Sequence, residues 1–300
     1  MTAPARAAAE VKRALARMAR PAGVFDASRY FRGAADLGFY NVGTSAVREM
    51  ARSIYVAQRD TWSVDDALAF ADVLMKDRYL EVKSVGIELV ARYRRALSPR
   101  VLPTVKRWLA RDDSNNWATT DAICGSLIGP LIVSHPQLGA PVAVWAGHRN
   151  MWVRRAAAVS LIPSVRKGAA LDLAYDVARR LHPDREDLIQ KAVGWMLREA
   201  GKADPVRLER YLRRYGASIP RTTVRYAIER MPEKKRKAVL AATRVRPLAK
   251  RRAVLFATKA PAAMPARQRA AFEASASDSR EPEPEQTRRR ERPGVGPRPQ

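Results

Sequence analysis

Trp117 and Asp121 stand four residues apart, the spacing that puts two side chains one turn apart on the same helix face. There an indole and a carboxylate can meet the same ligand. A second indole, Trp195, lies in Gln190-Lys191-Ala192-Val193-Gly194-Trp195-Met196-Leu197-Arg198-Glu199, where Gln190, Lys191 and Arg198 keep its surroundings polar and basic. Gly194 is a poor helix former, costing about 1 kcal/mol against alanine, and marks close packing or the approach of a ligand. Between the two clusters, Met151-Trp152-Val153-Arg154-Arg155 opens a helix with paired arginines. The packing alternative is an indole filling the core between helices and an aspartate that caps a helix or pairs with an arginine.

The surrounding chain is strongly basic. Its 300 residues carry 56 Lys or Arg against 30 Asp or Glu, a formal net charge of +26, which points to a polyanionic partner such as nucleic acid. Residues 233–300 hold 18 Lys or Arg and 7 Asp or Glu, so +15 remains on the residues before them and the body itself is basic. A carboxylate beside phosphates is repelled unless it has another task, which makes Asp121 informative. Cys124 is the single cysteine, so the chain has neither an internal disulfide nor a cysteine-built metal site, and a reducing cytoplasm is its expected location. His135, His148 and His182 are far apart and lack ligand spacing; no metal and no cofactor is expected. Met1–Arg20 makes a poor secretory signal, and no stretch approaches the ~18 uninterrupted apolar residues of a membrane span, so no membrane partner is expected.

The elements that must position these residues are helical. Helical periodicity runs from Val11 to about Ala242, with helices expected near 10–19, 26–32, 44–57, 63–75, 79–95, 102–110, 114–128, 140–147, 150–161, 166–181, 184–199, 204–214, 220–230 and 233–241. The fold class is therefore all-α. Start signals include Thr44 with Glu49, Ser63 before Asp65-Asp66, and Pro183-Asp184 before Glu186-Asp187. Asn116-Trp117 and Met151-Trp152 open corresponding helices about 35 residues apart, which suits a degenerate array of HEAT-like helix pairs. Three regions follow: a helical N-terminal arm over 1–34, the helical-repeat body over 35–242, and a Pro-rich, charge-segregated tail over 243–300 whose composition argues for disorder.

Trp117-x-x-x-Asp121, Trp152-Val153-Arg154-Arg155-Ala156-Ala157 and Lys191-Ala192-Val193-Gly194-Trp195-x-Leu197-Arg198-Glu199 resemble the signatures of the AlkD-type DNA alkylation repair proteins. Leu37 through Thr44 and Arg48, Glu81 through Tyr93, and Ile128 through Leu138 are similar too, so the resemblance covers roughly residues 35–235. It implies a HEAT-like α-solenoid that cradles duplex DNA and excises cationic N-alkylated purines as a monofunctional glycosylase. It also implies a site built from Trp117, Asp121 and Trp195, with Arg155 gripping a phosphate and Arg154, Arg198 and Lys191 on the DNA-binding side. Thr44 and Arg48 would hold a backbone phosphate through hydroxyl, helix N–H groups and guanidinium, the plain alternative being a cap and a solvated arginine.

The implied chemistry is coherent. A cationic purine is already a good leaving group, so what needs stabilising is the positive charge developing on the sugar, which Asp121 meets while orienting a water. Ala118-Thr119-Thr120, between Trp117 and Asp121, are small or hydroxylated, a departure that would loosen the site. The expected partner is double-stranded DNA with alkylated purines, bound by a monomer. A non-catalytic module of the same fold, binding bent or branched DNA through its backbone, is the alternative. A protein scaffold is disfavoured by the basic body.

Overall fold

A computed structural model describes residues 2–23, 30–31 and 36–243, all within one compact unit spanning Met1–Arg246. The expected tail from residue 244 onward and most of the expected helix at 26–32 lie outside the described residues.

Every regular element among the described residues is helical, apart from one isolated bridge between Gly38 and Tyr79. In chain order they are α1 (Ala3–Met18), α2 (Gly43–Gln58), α3 (Val64–Met75), α4 (Leu80–Arg92), α5 (Leu102–Ala110), α6 (Trp117–Ile123), α7 (Gly129–Ser134) and α8 (Gly139–Ala143). There follow α9 (Met151–Val159), α10 (Ile162–Val165), α11 (Leu171–Leu181), α12 (Asp187–Ala203), α13 (Pro205–Tyr215), α14 (Arg221–Ala227) and α15 (Glu233–Ala242). Helices α2, α4, α6, α9, α12 and α14 touch one another in that order and form one row. Behind it stand α1, α3 and α5, then α8 with α11 and α13 with α15. A row backed by a second row is what stacked helix pairs produce.

Local chemistry explains the helix starts. Ser63 and Asp66 close a capping box on α3, the Ser63 N–H donating to Asp66 Oδ2 at 2.9 Å and the Asp66 N–H to Ser63 Oγ at 3.2 Å. Helices α6 and α9 each begin behind an asparagine whose side-chain oxygen accepts a backbone N–H at 2.8 Å, from Thr119 to Asn116 and from Trp152 to Asn150. The two expected helix openings are thus built alike. By contrast α1 starts at Ala3 rather than near residue 10, because Thr2 caps it and Pro4 occupies its first turn. Helix α11 starts at Leu171 rather than 166, since Gly168 (φ 74°) and Ala170 (φ 55°) adopt left-handed backbone.

Cys124–Ile128 forms a π-helical turn that joins α6 to α7 in one continuous helical run. That run, Trp117–Ser134, has mean hydropathy 1.2 and by length and composition alone could cross a membrane; half of it is buried inside the protein, where Ile123, Leu127, Ile128 and Leu131 belong to the core. The core extends along both rows through Leu74, Val85, Trp108, Val153, Leu181 and Met196. Lys83, also buried, donates to the carbonyls of Met75 at 2.5 Å and Asp113 at 2.7 Å, tying the end of α3 to the loop that leads into α6.

Candidate functional site

Three helices of the first row bring the expected residues together. α6 supplies Trp117 and Asp121, α9 supplies Arg155, and α12 supplies Lys191, Trp195 and Arg198. All six line one cleft of about 680 Å³, together with Tyr30, Asp187, Leu188 and Tyr226. The one-turn spacing of Trp117 and Asp121 places both at this opening, and the cap at Asn116 sets where their helix begins.

Arg155 lies at the centre and is only 5% exposed. Its Nε donates to Asp121 Oδ1 and its Nη2 to Asp121 Oδ2, each at 2.8 Å, a two-pronged pair of the kind guanidinium and carboxylate form best. Its Nη1 donates to the backbone carbonyl of Leu188 in the first turn of α12. One side chain of α9 therefore clips α6 to α12, the helices that carry the two indoles. Expected as a phosphate grip, Arg155 instead has its guanidinium turned inward onto a carboxylate and a carbonyl. Burial pushes the Asp121 carboxyl above the usual aspartate range, against the opposing pull of the Arg155 guanidinium. Each carboxylate oxygen takes one Arg155 hydrogen bond and keeps further acceptor capacity toward the cleft.

The remaining cations of the site are paired as well. Lys191 Nζ lies 2.6 Å from Asp187 Oδ2, and Arg198 pairs with Glu229 and stands 3.6 Å from Glu199. In a chain of net charge +26, each described cation lining this cleft, Arg155, Lys191 and Arg198, stands beside a carboxylate. Arg154, on the same helix as Arg155, points elsewhere: it donates to Asp184 Oδ2 at 2.7 Å and to the carbonyls of His148 and Arg149. Thr44 and Arg48 are not part of the cleft. Thr44 is exposed in the first turn of α2, where no side chain caps the helix, and Arg48 lies 3.5 Å from Glu88 of α4.

Trp117 is held from the N-terminal side. Its Nε1 donates to the Tyr30 carbonyl at 3.0 Å, and Phe31 stacks on the indole with ring centroids 5.1 Å apart and planes 6° from parallel. Phe31 in turn meets Phe39 at 5.3 Å, and the chain beyond Phe39 is anchored by Glu81, which accepts the N–H groups of Tyr40 and Asn41. Thr119 and Thr120 do not line the cleft. Both are buried and face away from the cleft's lining: the Thr119 hydroxyl accepts from Asn116 Nδ2 at 2.9 Å and the Thr120 hydroxyl donates to the Ser114 carbonyl at 3.1 Å. Cys124, one turn beyond Asp121, is buried and its thiol is pushed up to about 12 by that burial, which makes it inert. No group of three His, Cys, Asp or Glu residues suited to a metal ion occurs among the described residues.

Tyr30, Asp187, Leu188 and Tyr226 were not singled out by their spacing. Asp187 had a legible signal, its i,i+4 relation to Lys191. Tyr30 lies 87 residues before Trp117 and Tyr226 lies on a different helix from Trp195, separations at which periodicity is silent.

Comparison with known proteins follows the same line. A solved structure described as "Predicted DNA alkylation repair enzyme from Enterococcus faecalis" is similar in fold, with a TM-score of 0.57 and 17% sequence identity over 76% of this chain and 96% of that one. A second, smu.31 from Streptococcus mutans UA159, gives a TM-score of 0.45 and 15% identity over 66% of this chain and 90% of that one. No curated protein matches the chain. The DNA alkylation repair enzyme family matches over residues 11–231, a span that contains every residue lining the cleft, and the chain belongs to that family.

Proposed function

We propose that the chain is a monofunctional DNA glycosylase that hydrolyses the N-glycosidic bond of cationic N-alkylated purines in duplex DNA. The observation that carries this reading is a carboxylate, Asp121, held at both oxygens by Arg155 in a cleft that two indoles, Trp117 and Trp195, also line. The alkylated base leaves with the bonding electron pair, so its ring charge is neutralised and no general acid is required. Positive charge then builds on the sugar, and Asp121, oriented by Arg155, stabilises it while accepting a hydrogen bond from the attacking water. The water oxygen bonds to the anomeric carbon and its proton passes to the carboxylate or to solvent. Trp117 and Trp195 offer faces to the polarised C–H groups of the sugar. The net +15 on residues 1–232 supports a duplex partner held through its phosphates.

One observation favours the alternative of a non-catalytic module on bent or branched DNA: the Asp121–Arg155 pair is closed and well bonded, as a purely structural pair would be. Base release from N-methylated duplex DNA separates the readings. Wild type should release free base and Asp121→Asn should lose roughly 10²-fold or more in rate, the scale of removing one preorganised electrostatic group. Unchanged release by the variant would remove Asp121 from the chemistry. Binding without release by wild type would move the chain to the non-catalytic reading.

A further inference from the structure

Gly194, next to Trp195 in α12, is where that helix meets α14 most tightly. A Cβ at this position would lie 2.4 Å from Tyr226 Cβ, 2.8 Å from the Thr223 carbonyl oxygen and 3.3 Å from Thr223 Cα, so the backbones of α12 and α14 meet where only glycine fits. Thr223 fastens the contact by donating its hydroxyl to the Gln190 carbonyl at 3.0 Å. Tyr226 therefore leaves α14 at this close approach, and it lines the cleft. It stays 36% exposed, an uncommon place for a large aromatic side chain with a core nearby.

The charges around it indicate what it meets. Arg155, Lys191 and Arg198 pair with Asp121, Asp187 and Glu229 respectively, so none of these three cations of the described lining opposes a positive group entering the cleft. The uncharged surfaces that remain are largely aromatic, and the face of a phenol ring carries the same negative quadrupole as an indole. We propose that Tyr226 is a specificity-determining residue whose ring favours the positively charged state of the ligand, the cationic base or the sugar as it becomes cationic, over a neutral counterpart. This rests on the glycosylase reading above and extends it to a residue on α14 that the two indoles and Asp121 do not include.

The test compares two duplexes of one sequence, one holding a pyrrolidine abasic-sugar mimic that is protonated and cationic, the other its neutral tetrahydrofuran analogue. Fluorescence anisotropy at matched salt gives the ratio of the two Kd values for wild type, Tyr226→Leu and Tyr226→Phe. Leucine keeps a Cβ and a branched side chain against Gly194 but has no π face, and thermal melting checks that each variant is folded. Wild type should prefer the cationic duplex, Tyr226→Leu should lose roughly threefold to fivefold of that preference, the size of one partly exposed cation–π contact, and Tyr226→Phe should keep it. A preference in wild type that Tyr226→Leu retains in full overturns the assignment of Tyr226 alone. No preference in wild type overturns the cation-stabilising reading of the cleft itself.

Discussion

Replacing Asp121 by asparagine does more than remove a reacting group, because it takes away the carboxylate onto which the buried Arg155 forks. Two unit charges about 4 Å apart at an effective dielectric of about 20 attract by about 4 kcal/mol, and losing one partner of a buried pair costs about 3–5 kcal/mol. Asp121 has 17% of its side chain exposed, and asparagine keeps one acceptor oxygen, so the expected loss sits at the low end, about 3 kcal/mol. For a body of this size that lowers Tm by roughly 6–12 °C. Arg155→Met should cost at least as much, since it leaves Asp121 without its partner and also leaves the Leu188 carbonyl of α12 without its donor from α9. The double variant should then be about 2–3 kcal/mol more stable than the sum of the single losses predicts. Urea unfolding followed by far-UV circular dichroism, on wild type and the three variants, completes the cycle. Additivity within about 0.5 kcal/mol would refute the argument that these two side chains form the clamp of the site. Stability recovered in the double variant without recovery of base release would separate the structural from the chemical part of Asp121.

Gly194→Ala should destabilise by about 1–3 kcal/mol through overpacking against Tyr226 and Thr223, whereas Gly125→Ala, where a Cβ meets nothing within 4 Å, should be neutral or stabilising; urea midpoints for the two distinguish tight packing from simple helix propensity. Asp121 must be ionised to stabilise a cation, and burial raises its pKa above the usual 3.8, so base release should fall on acidification with an acid limb above that value. Arg155→Gln removes the opposing pull and should move the limb to higher pH, and a pH profile of base release in which it stays put or moves down contradicts this. His182 is held down to about 4 by burial and then by Arg179, against an ordinary 6.5, and its Nε2 lies 2.9 Å from the Tyr211 hydroxyl. Because the unfolded chain binds the proton more readily, stability contributed by neutral His182 is complete above 6.5 and is lost as pH falls from 6.5 to 4; the urea midpoint of His182→Gln should change less across that window.

The helical order of the chain was legible because caps and prolines are local signals. Ser63 with Asp66, Asn116 and Asn150 act over two or three residues; Ser63 marks the expected start, Asn150 shifts its own by one residue to Met151, and Asn116 moves the helix expected from 114 to Trp117. Thr44 and Pro183-Asp184 carried the same type of signal without the same outcome: α2 begins one residue earlier with no side-chain cap, and Asp184 is drawn to Arg154 and the Glu186 N–H while α12 begins at Asp187. The early start of α1 was missed because the alanines around Pro4 lack a contrast between apolar and polar faces for periodicity to detect. At the site, spacing placed Trp117 beside Asp121, and the family signatures supplied Trp195 and Arg155. What the sequence could not express was direction. Adjacent arginines 154 and 155 differ by about 100° around their helix, enough to send one toward Asp184 and the other into the cleft.

The π-helical turn at Cys124–Ile128 has a consequence beyond its own geometry. In an ordinary helix one added residue rotates everything beyond it by about 100°, so the ends of a long helix are geared together. A widened turn keeps the gearing but resets the phase between them. On one side of it α6 presents Trp117 and Asp121 to the cleft; on the other, α7 is pressed against α10, where a Cβ on Gly129 would lie 2.5 Å from Pro163. The heading of the cleft residues and the seating of α7 are thereby brought into register by one wide turn, so a change that restored ordinary α-helical winding there would re-aim Trp117 and Asp121 relative to α7.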